Sequence, residues 1–518
     1  MYTARSCARC SRKGALLRRR YWRHSRPRAN SDFDLHVCDR QARVVVSTQQ
    51  VVEVAFARDA CQTRLPFRFG GVTLHQTERL TCRVTARDSA GREATGWSSD
   101  LLVPRWFRKD TDATPKQDAD ELMASAEIAA ACYSSLPANT CFGLWREVLA
   151  ERIESQPIDQ PDLLVRGYGV AIVERALLDA SCRLVGMPFA EALRADVFGF
   201  RPGEVHAQLA DWQWQADLPK PHSQVTVRHT VGMLDRLRIA DVDPAERIDD
   251  GLPEALDQDL AEYGVSWFKV KIGAGLEQDR ARLLDLAAFF AERDLSPQLS
   301  LDGNEQYEDI GQLADVLEAV AADSIGRELV SRISFIEQPL SRAHSFDPGR
   351  HRGIERVTKF APLILDEADA TPQSFVRALE LGYRGVSVKN CKGVFRALCN
   401  FGIAKSAADR FQSGEDLTNI GVLSLQQDLV TGAVLGLPHV ERNGHHYFRG
   451  LDHLPGEVAA AALAAHPDLY RTLPAAKGGG VALRIVDGKI DITSVLGAVG
   501  YGQSLSNYAQ SLQVSATS

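Results

Sequence analysis

Charged side chains stand where short apolar runs of this sequence end. Residues 266–273 read SWFKVKIG, and the apolar residues of this run alternate with Lys269 and Lys271. Such alternation is typical of a strand with one solvated face, and it places both lysines on the same face. The surrounding sequence, however, indicates a sheet that is covered on both sides. The two ammonium groups therefore need a chemical explanation.

Carboxylates end the next apolar runs. The ends of successive runs carry Asp302 and Asn304, then Glu337, then Asp366 and Glu367, and finally Lys389. Carboxylates that converge on one rim repel each other unless they share a cation, and hard oxygen ligands suit Mg²⁺. Lysines beside such a site could act as acid and base, because burial and a neighbouring cation both lower the pKa of an amine. A single Asp after such a run is more often a helix cap, and a single Lys is more often solvated, so the ordered set carries the signal.

Eight apolar runs that alternate with helical patterns position these residues. They are residues 224–231, 266–272, 298–304, 333–339, 361–367, 385–390, 409–414 and 437–443. Strand–helix alternation at this spacing predicts an α/β fold, a modified (β/α)8-type TIM barrel whose active residues lie at the carboxyl ends of the strands. An open doubly wound sheet is the structural alternative, because a sequence does not show whether a sheet closes.

The flanking segments predict a second, α+β unit. Residues 41–58 and 78–88 alternate as strands do, RLPFRFGG (64–71) has the Pro and Gly content of a loop, and three helical patterns follow. A hairpin is predicted with Asp487 and Gly488 at its turn. The expected organisation is a basic head (1–40), a capping domain with linking helices (41–200), the barrel (201–450) and a C-terminal segment that returns to the capping domain (451–518).

The charge distribution separates the head from the rest of the chain. The 518 residues carry a net charge of -7, whereas residues 1–30 contain nine arginines and Lys13 without any acid. An acidic body argues against nucleic acid as the main partner. No apolar run approaches the roughly 18 residues that cross a bilayer, so no membrane association is expected.

The cysteine content indicates a cytoplasmic protein. Ten irregularly spaced cysteines in a chain of this length favour reduced thiols. Cys7 and Cys10 have the spacing of half a zinc site, but no second pair follows, and a zinc site is not expected there.

The motifs FKVKIG, LDGN, FIEQP, LDE and VKNCKG follow one another in this order. With them, the sequence resembles the enolase superfamily, and within it the mandelate racemase/muconate lactonizing enzyme-like family, specifically the muconate lactonizing and dipeptide epimerase branch. The resemblance covers about residues 41–500 and includes RLPFRFGG as the specificity loop of a capping domain. It implies a capping domain made from both chain ends, placed over a modified barrel with one essential Mg²⁺.

The resemblance also implies roles for individual residues. The implied metal ligands are Asp302, Glu337 and Asp366, and the implied catalytic residues are Lys271 as general base and Lys389 as the opposing acid or base. The implied substrate neighbours are Lys269, Arg64, Phe67, Arg68 and Phe69, and Asn304 and Glu367 are expected to orient the metal ligands. Ordinary domain packing is the alternative for the two phenylalanines. Lys392 belongs to the same motif as Lys389, so the choice between these lysines stays open.

The implied chemistry is removal of the proton α to a substrate carboxylate, which leaves an enediolate that Mg²⁺ stabilises. Two lysines favour a racemase or epimerase of a carboxylic acid or amino-acid derivative. A lactonizing cycloisomerase or an acid-sugar dehydratase is the alternative, and a non-catalytic binding protein on this fold is a remote one. A small-molecule carboxylate is the expected partner, and homo-oligomers are common among barrel enzymes.

One departure from the family concerns histidine. The mandelate racemase subgroup uses a His at the end of the seventh strand, and the corresponding FQSGED contains none. His439, His445 and His446 lie on or after the eighth run, where they either touch substrate or belong to a polar loop.

Overall fold

The computed structural model describes residues 46–69, 71–109 and 112–502, together with the backbone of residues 515 and 516. The basic head, including Cys7 and Cys10, lies outside the described residues. In chain order the strands are β1 (Gln49–Phe69), β2 (Val72–Asp88), β3 (Glu93–Leu101), β4 (Gln224–Val231), β5 (Trp267–Lys271), β6 (Gln298–Asp302), β7 (Ile333–Glu337), β8 (Leu363–Leu365), β9 (Gly385–Val388), β10 (Phe411–Gly414), β11 (His439–Arg442), β12 (Tyr470–Thr472), β13 (Val481–Leu483), β14 (Lys489–Asp491) and β15 (Ser515–Ala516).

The α-helices are α1 (Pro115–Ser135), α2 (Cys141–Leu149), α3 (Leu163–Val185), α4 (Phe189–Arg194), α5 (Trp214–Asp217), α6 (Leu256–Tyr263), α7 (Leu276–Ala291), α8 (Ile310–Ala321), α9 (Ser324–Val330), α10 (Glu355–Thr358), α11 (Ser374–Glu380), α12 (Val394–Lys405), α13 (Leu423–Val434), α14 (Gly444–Tyr447), α15 (Gly456–Ala465) and α16 (Thr493–Gly497). None of the described helices combines the length and the apolar character needed to cross a membrane. The seven cysteines that the structure describes are free thiols.

Strands β4 to β11 form a closed parallel barrel. Each strand pairs with the next, and β11 pairs in parallel with β4, so that His439 lies opposite Thr226 and Arg442 opposite His229. This last pairing closes the sheet and confirms the TIM barrel over the open-sheet alternative. Each of the eight predicted runs contains one barrel strand.

The capping sheet is antiparallel, in the order β15, β1, β2, β3. The predicted loop at 64–71 is wrong in detail, because β1 extends to Phe69 and the segment is the tip of the β1–β2 hairpin. Phe67 pairs with Leu74 and Phe69 with Val72, and the register shifts between Gln62 and Phe67. Pro66 lies within this irregular stretch, and proline lacks the amide hydrogen that a ladder requires.

The C-terminal segment contributes strands to both the capping sheet and the barrel sheet. Its strand β15 pairs with β1 of the cap, whereas β14 pairs antiparallel with β4 at Gln224–Thr226. Strand β5 pairs with β4 only at Arg228–Val231. Strand β14 therefore covers the edge of β4 that β5 leaves unpaired at its start. The predicted hairpin is reduced to a turn at Asp487 and Gly488 with one bridge.

Strand β3 packs directly on α3 at Gly96. A Cβ atom there would lie 2.1 Å from the amide nitrogen of Ala180 and 2.2 Å from the carbonyl oxygen of Ala176. We expect Gly96→Ala to lower the free energy of unfolding by about 1–3 kcal/mol, since an inserted methyl forces strand and helix apart. Urea unfolding measures the loss. In the control Gly71→Ala, the new Cβ would meet no described atom within 4 Å, and an equal loss in both variants would contradict the packing argument.

Candidate active site

The predicted charged residues converge at the carboxyl ends of the barrel strands. Strand β5 carries both lysines of the K-x-K motif, β6 and β7 end in carboxylates, and the residues that follow β8 and β9 complete the rim. At most 7% of the surface is exposed in each of the six residues Lys269, Lys271, Asp302, Glu337, Asp366 and Lys389. Burial of so many charges requires mutual compensation, because an isolated buried ion is costly.

Lys269 provides much of this compensation. Its Nζ lies 3.1 Å from Asp302, 2.6 Å from Glu337, 2.7 Å from Glu415 and 2.9 Å from Glu441. Although burial opposes the charged form, these carboxylates hold the pKa of Lys269 well above its ordinary value. Lys269 is therefore a fixed cation at the centre of the barrel mouth.

Asp302 is held by three neighbours. Nζ of Lys271 donates to Oδ2 at 2.5 Å, and the backbone amide of Asn304 donates to Oδ1 at 2.9 Å. Burial opposes ionisation, but Lys269 and Lys271 lower the pKa of Asp302 below its ordinary value. The side-chain amide of Asn304 in turn donates to Glu367 at 3.2 Å, so Asn304 links two carboxylates of the rim.

Asp366 is held by two lysines on the opposite side. Lys389 donates to Oδ2 at 2.6 Å, and Nζ of Lys392 lies 3.2 Å from Oδ1 while it donates to Ser387 at 2.6 Å. Despite burial, Asp366 raises the pKa of Lys389. Among the described groups, an adjacent carboxylate therefore outweighs the effect of burial at Lys389. The lowering of an amine pKa by a neighbouring metal ion stays a prediction.

Glu337 identifies the place where a cation fits. Its Oε1 is buried and makes no hydrogen bond to any described residue. Burial and the neighbouring Asp302 and Glu415 carboxylates raise the pKa of Glu337 well above its ordinary value. A buried carboxylate oxygen without a donor, beside further carboxylates, matches the hard oxygen donors that Mg²⁺ requires. The donor types present therefore fit a Mg²⁺ ion, and Asp302, Glu337 and Asp366 stay the predicted ligands.

The capping unit covers the two lysines that border the pocket. The pocket is lined by Lys271, Lys389, Asn304, Glu441, Asp416, Leu417, Thr418, Asn443, Phe67, Phe69, Val103 and Trp106. The Trp106 ring centre lies 4.5 Å from Nζ of Lys389, a cation–π contact. The cavity of about 20 Å³ holds little more than one water, so a substrate must displace part of this cover.

Other predicted contacts lie elsewhere. Arg64 forms an ion pair with Asp250 at 2.7 Å and donates to the carbonyl of His446 at 2.9 Å, and it does not border the pocket. Arg68 is exposed on the hairpin. The three C-terminal histidines also lie outside the pocket lining, and His439 stacks on Trp267.

Sequence reasoning missed Glu415 and Glu441. Glu415 directly follows β10, and Glu441 lies near the end of β11, the same position that marked the other carboxylates. Applying the strand-end rule to FQSGED and HVERN would have found both. Trp106 had no comparable signal, because its contact with Lys389 joins residues far apart in sequence.

Several solved structures share this architecture. An enolase from Bradyrhizobium, complexed with magnesium and mandelic acid, aligns with a TM-score of 0.55 at 17% identity, over 88% of this chain and 96% of that chain. The chain has the enolase-superfamily fold. A Pseudomonas fluorescens muconate lactonizing enzyme complexed with muconolactone aligns with a TM-score of 0.54 at 17% identity, over 89% and 98% of the two chains.

A dipeptide epimerase from Enterococcus faecalis, complexed with Mg and L-Leu-L-Tyr, has a TM-score of 0.54 at 13% identity, over 88% of this chain and 99% of that chain. No protein-family model matches the sequence, and no curated protein sequence matches it significantly. At these identities the superfamily likeness is one of fold, and the chemistry of the site rests on the residues of this chain.

Removal of the Lys269 ammonium group is expected to destabilise the barrel. In Lys269→Met, four buried carboxylates lose their shared ammonium, and the free energy of unfolding in Mg²⁺-free buffer falls by about 3–5 kcal/mol. The control is Lys359→Met, whose ion pair with Glu318 is half exposed and whose loss costs about 0–1 kcal/mol. Chemical denaturation of both variants makes the comparison, and similar losses would refute the central role of Lys269.

Proposed function

We propose that this protein is a Mg²⁺-dependent enzyme that removes the proton α to a substrate carboxylate. One observation carries the proposal. Lys271 and Lys389 border the same pocket from the second and sixth strands of a closed eight-stranded barrel, which face each other across its mouth. Two amines on opposite faces of one carbon suit a racemase or epimerase, since one removes the proton and the other returns it.

The fixed charges define how a carboxylic acid would bind. Asp302, Glu337 and Asp366 would hold the ion, which when bound supplies Lewis-acid stabilisation of the charge that develops on the substrate carboxylate. Lys269 does not border the pocket. It stays protonated because of its four acidic neighbours and would place positive charge near the substrate carboxylate without contacting it. Lys271 and Lys389 would exchange a proton with the α-carbon. Asn304 orients Asp302 and Glu367, which limits the reorganisation needed during reaction.

The capping residues indicate the substrate class. Phe67, Phe69, Val103 and Trp106 present apolar surface to the pocket, opposite the charged rim. A substrate with a carboxylate at one end and an apolar group at the other would satisfy both surfaces. An N-acylated or dipeptide-like amino acid has this character, so we place such acids first among the substrates.

Exchange of the α-proton with solvent tests the reaction without knowledge of the final product. In D₂O with Mg²⁺, the wild type is expected to incorporate deuterium into an acid of this class, followed by NMR. Lys271→Ala and Lys389→Ala should each lose racemisation by about 10²–10⁴-fold, since each removes one acid–base group. Each variant should retain exchange of the one enantiomer that its remaining lysine faces.

The control for this experiment is Lys392→Ala. Lys392 contacts Asp366 and Ser387 but does not border the pocket. Exchange at both faces should therefore persist in this variant, at an equally reduced rate for the two enantiomers because Asp366 loses one of its two lysines. If Lys392→Ala, rather than Lys389→Ala, removes exchange at one face, the assignment of Lys389 is wrong. If the protein instead closes a ring in its substrate and does not exchange the α-proton of both enantiomers, a cycloisomerase is favoured.

Metal binding is tested separately by calorimetric titration with Mg²⁺. Glu337→Gln should weaken Mg²⁺ binding at least tenfold, or about 1.4 kcal/mol, because the amide replaces an anionic ligand. The control Glu318→Gln changes a carboxylate on the outer helix α8, which ion-pairs with Arg356 and Lys359 and should leave Mg²⁺ affinity unchanged. Equal affinities for all three proteins would remove Glu337 from the metal site.

A further inference from the structure

Three histidines and one aspartate form a polar cluster outside the barrel wall. His229 lies on β4, Asp259 on α6, and His445 and His446 on α14. The preceding residue on β4, Arg228, points inward to the carboxylates of the barrel. Because successive side chains of a strand alternate in direction, His229 points outward, and the strand separates this cluster from the candidate active site.

The cluster has the distances of a cation site. Nδ1 of His229 lies 3.1 Å from Nε2 of His445, and Nε2 of His229 lies 3.4 Å from Oδ2 of Asp259. One ligand atom from each of these three residues lies within 4.8 Å of the others. Ligand bonds of about 2.0–2.2 Å around one ion require similar separations. Because the two short distances involve different ring nitrogens of His229, this ring must turn so that a single nitrogen faces the ion.

Two polar atoms of the cluster have unused bonding capacity. Nδ1 of His445 and Oδ2 of Asp259 are buried and accept or donate no hydrogen bond among the described residues. Imidazole nitrogens and carboxylate oxygens are both ligands that a zinc-type ion accepts.

The fourth member has a different role. Nδ1 of His446 lies 3.2 Å from Oδ1 of Asp259, the carboxylate oxygen that does not face His229. An imidazole that holds one carboxylate oxygen leaves the other directed toward the remaining histidines, as outer partners of metal ligands do.

A small cavity adjoins His445, one member of the cluster. The cavity has a volume of about 20 Å³, enough for one water, and His445, Tyr263, Arg442 and Tyr470 are among its lining residues.

We propose that His229, Asp259 and His445 bind a divalent transition-metal ion of the zinc type, and that His446 orients Asp259. Two imidazoles and one carboxylate with an open position suit Zn²⁺ or Co²⁺, whereas Mg²⁺ prefers all-oxygen sites. The ion would join β4, α6 and α14, and Arg64 of the capping hairpin donates to the carbonyl of His446 at 2.9 Å. This site does not depend on the proposed reaction.

Metal titration of the full chain tests the proposal. The protein is stripped with a chelator and titrated with Co²⁺ or Zn²⁺ in excess Mg²⁺, which occupies oxygen-rich sites. One equivalent of Co²⁺ should give visible d–d absorption without the thiolate charge-transfer band of cysteine ligation. His445→Ala should lower Zn²⁺ affinity at least about 100-fold, and His446→Gln about 10–100-fold.

Two controls make the outcome decisive. His453→Ala removes another, partly buried histidine, which contacts the carbonyl of Gly421 at 2.7 Å, and should leave Zn²⁺ affinity unchanged. The double variant Cys7→Ser/Cys10→Ser should also bind one equivalent, which separates the cluster from the paired cysteines of the head. Circular dichroism confirms that each variant is folded. Loss of the bound equivalent in the cysteine variant, or no Co²⁺ absorption by the wild type, would overturn the proposal.

Discussion

Charge balance at the barrel mouth is the constraint on which this structure depends. Carboxylates from five strands and their following residues meet there, and Lys269 contacts four of them at once. Buried charges persist only where they are paired, and removing one partner leaves the others uncompensated. The two lysines of the K-x-K motif thus have different roles. Lys269 balances the charge of the carboxylates, and Lys271 faces the pocket.

The capping unit completes a site that the barrel alone leaves open. The tip of the β1–β2 hairpin brings Phe67 and Phe69 over the rim, and Trp106 covers Lys389. The cap is fixed to its own helices by close packing at Gly96 and by the buried ion pair of Arg175 with Asp100. Aromatic side chains over Lys271 and Lys389 exclude water, and this strengthens the electrostatic interactions beneath them.

One strand separates two chemical environments. Along β4, Arg228 and Thr230 face the acidic interior, where they contact Glu415 and Glu441, while His229 faces the histidine cluster outside. The alternation of side chains places hard oxygen donors on one side of the wall and imidazoles on the other. Mg²⁺ would therefore bind on the inner side of β4, and a zinc-type ion would bind on its outer side.

The sequence by itself determined the eight strands and most of the rim, whereas the pairing of β11 with β4 decided that the sheet closes into a barrel. Eight apolar runs at regular spacing predict eight strands, and residues at the carboxyl ends of parallel strands must share one edge, so Lys271, Asp302, Glu337 and Lys389 could be placed together without coordinates. The hairpin at 64–71 and the path of β14 could not be predicted, because local composition does not reveal which strand edge remains free. Only the tertiary structure decided that Lys389, and not Lys392, borders the pocket, since both reach Asp366 and their positions differ only in the path of the backbone after β9. It also decided the surroundings of His445 and His446, because ion pairs and burial between distant segments depend on packing that no local pattern encodes.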